Sequence, residues 1–160
     1  MSSLYKPASE VKNKSENRLP QFPECFVCGT QNRRGLHLPF YRMEQGAWAE
    51  FTPDKECAGY RNQVHGGIIS AVLDESVVWA AYVASGRFGV TAGITIRFLK
   101  PVHTGMCYTV SGRFDRIKKN ICLCSASIEG PEGEVCARAE SRIVLMGEQQ
   151  SDDLLNATIR

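Results

Sequence analysis

Two acidic residues interrupt an otherwise apolar run. Asp74 and Glu75 fall between Ile68-Ile-Ser-Ala-Val-Leu73 and Ser76-Val-Val-Trp-Ala-Ala-Tyr-Val83. A carboxylate in such surroundings must find partners, take up a proton or face a site open to substrate. Both a structural polar network and a catalytic base fit that requirement. Nine residues before Asp74 stands His65, followed by Gly66 and Gly67. If the run is a helix, these three residues open it. Amides there lack intrahelical acceptors and carry partial positive charge, and glycines admit a close approach by a carbonyl. A carboxylate base and an oxyanion-binding amide are equipment for acyl transfer. The plainer reading of His-Gly-Gly is a flexible helix start with His65 capping or packing. At 1.5 Å per residue, His65 and Asp74 lie about 13 Å apart along one helix. That is too far for both to reach one carbonyl at about 3 Å each. If both act, they come from different copies of the chain, and a twofold dimer supplies two such sites.

The elements around this run follow from its periodicity. Residues 65–85 show no alternation of period two and stop at Ser85-Gly86, so they read as a helix of about five turns. Its apolar residues cover nearly the whole circumference, which predicts burial on all sides. Before it, Leu36, Leu38 and Phe40 alternate with His37, Pro39 and Tyr41, and Ala47, Ala49 and Phe51 repeat the pattern. These predict two strands of a hairpin turning at Gln45-Gly46. After the helix come four longer strand patterns, 89–100, 107–117, 121–129 and 134–146. Two strands, one apolar helix and four strands joined by short turns imply an α+β fold. An antiparallel sheet wraps one long central helix, the arrangement called the hotdog. The expected domain spans 25–146. Residues 1–24 are expected as a flexible arm or short helix, and 147–160 as a tail.

Bulk properties exclude several classes. A chain of 160 residues with 43% hydrophobic and 22% charged residues suits one globular domain. A net charge of +2, with no basic run longer than Arg33-Arg34 or Lys118-Lys119, gives no footing for nucleic acid. The apolar run is broken by Ser70, Asp74, Glu75 and Ser76, so no membrane span is expected. Residues 1–18 lack the apolar core of a signal peptide. Seven cysteines, an odd number with several in strand patterns, argue for reduced thiols and a cytoplasmic location. Cys25-Phe-Val-Cys28 is a single C-x-x-C without a second pair, an incomplete zinc set, and no metal or other cofactor is expected.

The run His65-Gly-Gly-Ile-Ile-Ser-Ala-Val-Leu-Asp74 resembles the hotdog-fold acyl-CoA thioesterases of the PaaI-like type, related to 4-hydroxybenzoyl-CoA thioesterase. So do Val90-Thr-Ala-Gly-Ile-Thr-Ile-Arg-Phe-Leu-Lys-Pro101 and the leading segment from Cys25-Phe-Val-Cys-Gly to Gly35-Leu-His-Leu38. The resemblance covers residues 25–146. It implies that Asp74 activates the hydrolytic water or attacks the thioester itself. It also implies that the amide at Gly66, aided by the His65 region, polarises the thioester oxygen. Thr91, on the partner-side strand, is implied to help hold the water. Many relatives carry Asn six residues before the His; here that position is Gly59, and Asn62 lies only three before. Asn62, Gly67 and Glu75 are the remaining candidates near the substrate, with Glu75 a second choice of base. Arg97, Lys100 and Lys118, flanking strand ends, are candidates for the CoA phosphates. The expected partners are acyl-CoA, with a medium-chain or aromatic acyl group, and a second copy of the chain, as a homodimer or a homotetramer built from two dimers.

Two other functions fit the same fold. A hotdog dehydratase or hydratase needs a catalytic His placed along the acyl chain, and His65 among glycines suits that poorly. A non-catalytic acyl-CoA binding module has no need of Asp74. No Gly-x-Ser-x-Gly elbow is present.

Overall fold

A computed structural model describes residues 14–158. Strands β1 (Tyr41–Met43) and β2 (Gly46–Phe51) precede a 3-10 turn, Lys55–Cys57, and the short strands β3 (Ala58–Tyr60) and β4 (Gln63–Val64). Helix α1 runs Gly66–Ser85. Strands β5 (Gly89–Phe98), β6 (Tyr108–Lys118), β7 (Ile121–Glu129) and β8 (Val135–Leu145) follow, then helix α2 (Glu148–Asn156). The main sheet has six antiparallel strands in the order β1-β2-β6-β7-β8-β5, and β3 pairs with β4 apart from it. The expected sheet-around-helix fold is present.

Helix α1 begins where expected. His65 is its N-cap and Gly86, at φ 72°, its left-handed C-cap, a conformation glycine adopts without a Cβ penalty. The helix packs against β2 and β5 to β8. Its tightest seat is Gly112 on β6: a Cβ there would lie 2.0 Å from the Ser76 carbonyl oxygen. Ser76 is wholly buried, and its hydroxyl donates back to the carbonyls of Val72 and Leu73. This contact sets the rotation of the helix about its axis.

Burial on all sides is not what the structure shows. Val72, Leu73, Val77 and Ala80 are fully buried, while Asp74, Glu75, Val78 and Tyr82 are half-buried. Strand β5 ends the sheet, so the side of the helix beyond it stays partly uncovered. By length and composition Gly66–Ser85 would be able to cross a membrane, contrary to the expectation that no segment could. Ile69, Val72, Leu73, Val77 and Trp79 are buried in the core.

Three further departures concern the flanks. Residues 36–40 do alternate in burial but form no strand. Pro39 has no N–H to give a ladder, and Leu36 and Leu38 donate to the carbonyls of Phe26 and Val27. The expected arm is partly core: residues 1–13 lie outside the described residues, but Leu19 is buried and donates to the Phe40 carbonyl. The expected tail contains α2, whose Leu154 and Leu155 pack on the core and whose Ser151 hydroxyl accepts from the Phe88 amide at 2.9 Å. Two leucines in a polar segment of nine residues gave too weak a pattern to reveal it.

Candidate active site

Asp74 lies mid-helix on the half-covered side and meets the start of β5. The Thr91 hydroxyl donates to Asp74 Oδ1 at 2.7 Å. A β-bulge at Ala92 breaks the β5–β8 register between Thr91 and Gly93. The extra residue resets the alternation, so Thr91 shares the helix-facing side with Ile94 and Ile96, which pack on the core. With its proton committed to Asp74, the Thr91 oxygen keeps lone pairs that can accept from a water. The resemblance implies a partner-side strand for Thr91; in the structure it bonds Asp74 of its own chain.

The helix start is a second centre. Gly66 is the first helical residue, and its N–H has no acceptor among the described residues. Gly67 differs: its N–H donates to His65 Nδ1 at 2.9 Å. Gly67 is thus part of the cap, and His65 orders this turn so that the Gly66 amide is left over. The Phe98 ring lies over Gly66, with a Cβ built on Gly66 3.5 Å from Phe98 Cζ. A cleft of about 670 Å³ opens here, walled by Tyr60, Val64, Ile69, Phe98 and Leu99, with Lys100 at its edge.

Eight residues separate Gly66 from Asp74, about 12 Å of helix. Within one chain they form two half-sites.

The other candidates are scattered. Glu75 points away from Asp74: Trp79 Nε1 donates to its Oε1 at 2.9 Å, and its Oε2 shares a hydrogen bond with Cys25 Sγ at 3.5 Å. Burial, then the neighbouring Cys25, pushes the Glu75 carboxyl up to about 7. A hydrogen bond from Cys28 pulls Cys25 down to about 5 and raises Cys28. The partners of the Glu75 carboxylate are therefore Trp79 and the Cys25–Cys28 loop, whereas that of Asp74 is Thr91. Asn62 occupies a turn at φ 58°, and its carbonyl accepts from the Thr104 amide at 3.1 Å, so its backbone serves the loop before β6. At the position where relatives have Asn, a Cβ on Gly59 would stand 3.2 Å from His65 Cδ2, leaving little room for a side chain. Arg97 and Lys118 are exposed but distant from each other. Val90, Val144, Ile121 and Lys118 are matched across the sheet, so Lys118 belongs to the opposite end of β5 from Arg97 and Lys100. About seven residues of strand, roughly 23 Å, divide them.

Tyr60, Phe98 and Leu99 were not foreseen as cleft residues. Phe98 carried a signal: it continues the helix-facing parity of Ile94 and Ile96 to the end of β5, yet is 56% exposed. Trp79, Tyr82 and Phe88 pack on one another and on Phe22: Tyr82 stacks on Phe88 at 4.3 Å between centroids, and Trp79 meets both edge-on.

A central helix in a six-stranded antiparallel sheet, with an acid at mid-helix and a spare amide at its start, defines a hotdog-fold protein. Residues 62–137 match the family model of the thioesterase superfamily. That match covers just under half of the chain, and a PaaI protein is among its structural neighbours. An uncharacterised protein of Schizosaccharomyces pombe is 27% identical over 114 residues, covering 66% of this chain and 65% of its own. A thioesterase superfamily protein of known structure has a TM-score of 0.71 at 21% identity, covering 76% of this chain and 60% of its own. The Escherichia coli PaaI protein, from the phenylacetic acid degradation operon, has a TM-score of 0.63 at 20% identity, covering 68% and 83%. A Streptococcus mutans protein, solved bound to acetyl CoA, has a TM-score of 0.64 at 18% identity, covering 69% and 89%. At these identities the structures show a shared fold. The chain spans less than two thirds of the length of the yeast relative and of the first of these structures.

Proposed function

We propose that this protein hydrolyses acyl-CoA thioesters to the free acid and CoA, in a site completed by a second copy of the chain. The observation that carries the reading is the pair of half-sites. Asp74 is held by Thr91, and the Gly66 amide is left without an acceptor about 12 Å away on the same helix. Antiparallel pairing of β5 with its twin about a twofold axis would bring the Thr91 end of one strand to the Phe98 end of the other. Asp74 of one protomer would then face Gly66 of its partner, and Lys118 would approach the partner's end that bears Lys100. The exposed apolar residues Val90, Phe98 and Leu99 along this edge support such pairing.

In that arrangement the thioester oxygen accepts from the partner's Gly66 N–H, at the positive end of the helix. A water sits between Asp74 and Thr91. The carboxylate takes its proton as the water oxygen attacks the carbonyl carbon. Collapse of the tetrahedral intermediate breaks the C–S bond and releases CoA thiolate, which is a good enough leaving group to need no strong acid. The acetyl CoA bound in the Streptococcus mutans neighbour supports a CoA ester as ligand, and Lys100 at the cleft edge suits its phosphates. Direct attack by Asp74 is the variant in which the carboxylate forms an anhydride before water enters. The odd count of seven cysteines is the ground for placing the protein in a reducing, cytoplasmic setting.

Complementation tests the shared site. Proline is tolerated at the first helical position, where it removes the N–H; its Cβ would rest at ordinary contact distance from Phe98, and His65, at φ −61° and ψ 135°, already has the backbone that precedes proline. Gly66→Pro and Asp74→Asn proteins are each expected to lose thiol release from a panel of acyl-CoAs. A mixed dimer of the two regains one intact site and hence activity. Failure of the mixed dimer to recover, with both variants folded and paired, rejects the shared site. Tight acyl-CoA binding without turnover by the wild type rejects hydrolysis in favour of a binding module.

A further inference from the structure

We propose that Cys25, Cys28 and Glu75 form a Zn²⁺ site that clamps the N-terminal loop to the central helix. This goes beyond the thioesterase reading, which involves no metal. The sequence offered only an isolated C-x-x-C; folding brings a third donor to it from α1, forty-seven residues after Cys28. One ligand atom from each of the three lies within 4.8 Å of the other two. Cys25 Sγ and Glu75 Oε2 are 3.5 Å apart. Tetrahedral zinc, with thiolate at about 2.3 Å and carboxylate oxygen at about 2.1 Å, requires those two atoms to be roughly 3.5 Å apart.

The donors are oriented by their surroundings, as metal ligands are. Trp79 Nε1 occupies Glu75 Oε1 and leaves Oε2 for the thiols. The Val27 amide donates to Cys25 Sγ at 3.3 Å. Buried Gln21 donates from Nε2 to the Cys28 carbonyl at 2.7 Å. After Cys28 the chain doubles back so tightly that a Cβ on Gly29 would lie 2.5 Å from the carbonyl oxygens of both Pro23 and Cys25. Two thiolates and a carboxylate suit borderline zinc better than hard cations, which take oxygen alone. The fourth corner, beside half-buried Cys25, is left to water. Since Glu75 adjoins Asp74, the clamp would fix the helix where the proposed base projects.

Cobalt(II) reports such a site because thiolate ligation gives a charge-transfer absorption. Reduced, chelator-treated full-length protein titrated with Co²⁺ is expected to show that band, saturating at one ion per chain and lost when Zn²⁺ displaces it. Zn²⁺ should also raise the melting temperature and shield Cys25 from alkylation. Cys28→Ser should abolish the strong band, and Glu75→Gln should keep it while weakening affinity by more than about tenfold. Absence of the band in reduced wild type overturns the proposal. So does unchanged affinity in Glu75→Gln, or a Cys25–Cys28 disulfide whose reduction leads to no metal uptake. If Cys28→Ser fails to fold, alkylation of the wild type decides: Cys25 labelling that Zn²⁺ does not slow counts against the site.

Discussion

Asp74 and Glu75 are chain neighbours with the same functional group, yet they belong to different parts of the molecule. Successive helical residues point about 100° apart, enough to send one to the sheet edge and the other to the N-terminal loop. Asp74 meets one hydroxyl, from Thr91, and is half-open. Glu75 is half-buried too, but its carboxyl group takes an indole N–H and lies beside two thiols, and the burial of that group raises it to about 7. A carboxylate in an apolar helix is therefore not by itself a functional signal. What its face looks onto decides between a reactive group and a structural one.

Substitutions can break this contrast. The largest effect is expected from Asp74→Asn, which keeps the shape but removes the proposed base. Thiol release should fall by about a hundredfold to ten-thousandfold, while the melting curve stays near that of wild type. Turnover within a factor of about two of wild type would remove Asp74 from the chemistry. Next comes Gly112→Ala. The added Cβ would meet the Ser76 carbonyl, forcing the helix off the sheet at a cost of about 3 kcal/mol. Both carboxylates ride on that helix, so denaturant unfolding and thiol release should suffer together. Loss of stability with kcat intact would show that the helix rotation is set elsewhere.

Glu75→Ala sharpens the comparison from the other side. It strands the Trp79 indole N–H, at about 1–3 kcal/mol of stability, and indole fluorescence should follow. If turnover drops as steeply as in Asp74→Asn, the two neighbours do not have separate roles. The smallest effect is expected for Thr91→Val, which removes one hydrogen bond to a carboxylate. About 1.5 kcal/mol, or roughly a tenfold fall in kcat/KM, is expected, carried by kcat. A change confined to KM would mean that Thr91 contacts substrate instead of positioning Asp74 and its water.

Much of this was legible along the chain. The helix limits were written in His65 and in Ser85-Gly86, and the four later strands matched their patterns to within a residue or two. Those signals are local: a cap, a left-handed stop and a period-two alternation act over a few residues. Phe98 was readable in part, as a bulky residue continuing an inward parity past the core. Residues 36–40 misled because alternation of burial does not require a ladder, and Leu36 and Leu38 spend their amides on the loop at Phe26 and Val27. Leu19 and α2 were missed because two or three apolar residues in a polar stretch carry little periodicity.

The chain by itself determined one apolar helix bearing an acid and opening on glycines, amid strands that must cover it, because hydrophobic period and capping are properties of near neighbours. Only the tertiary structure decided that Thr91 holds Asp74, that Gly67 is spent on its cap while Gly66 is not, and that Glu75 turns to Cys25 and Cys28. Those outcomes depend on the seat of the helix at Gly112 and on the bulge at Ala92. Both are long-range contacts, in which one residue's orientation is set by atoms many positions away in the chain.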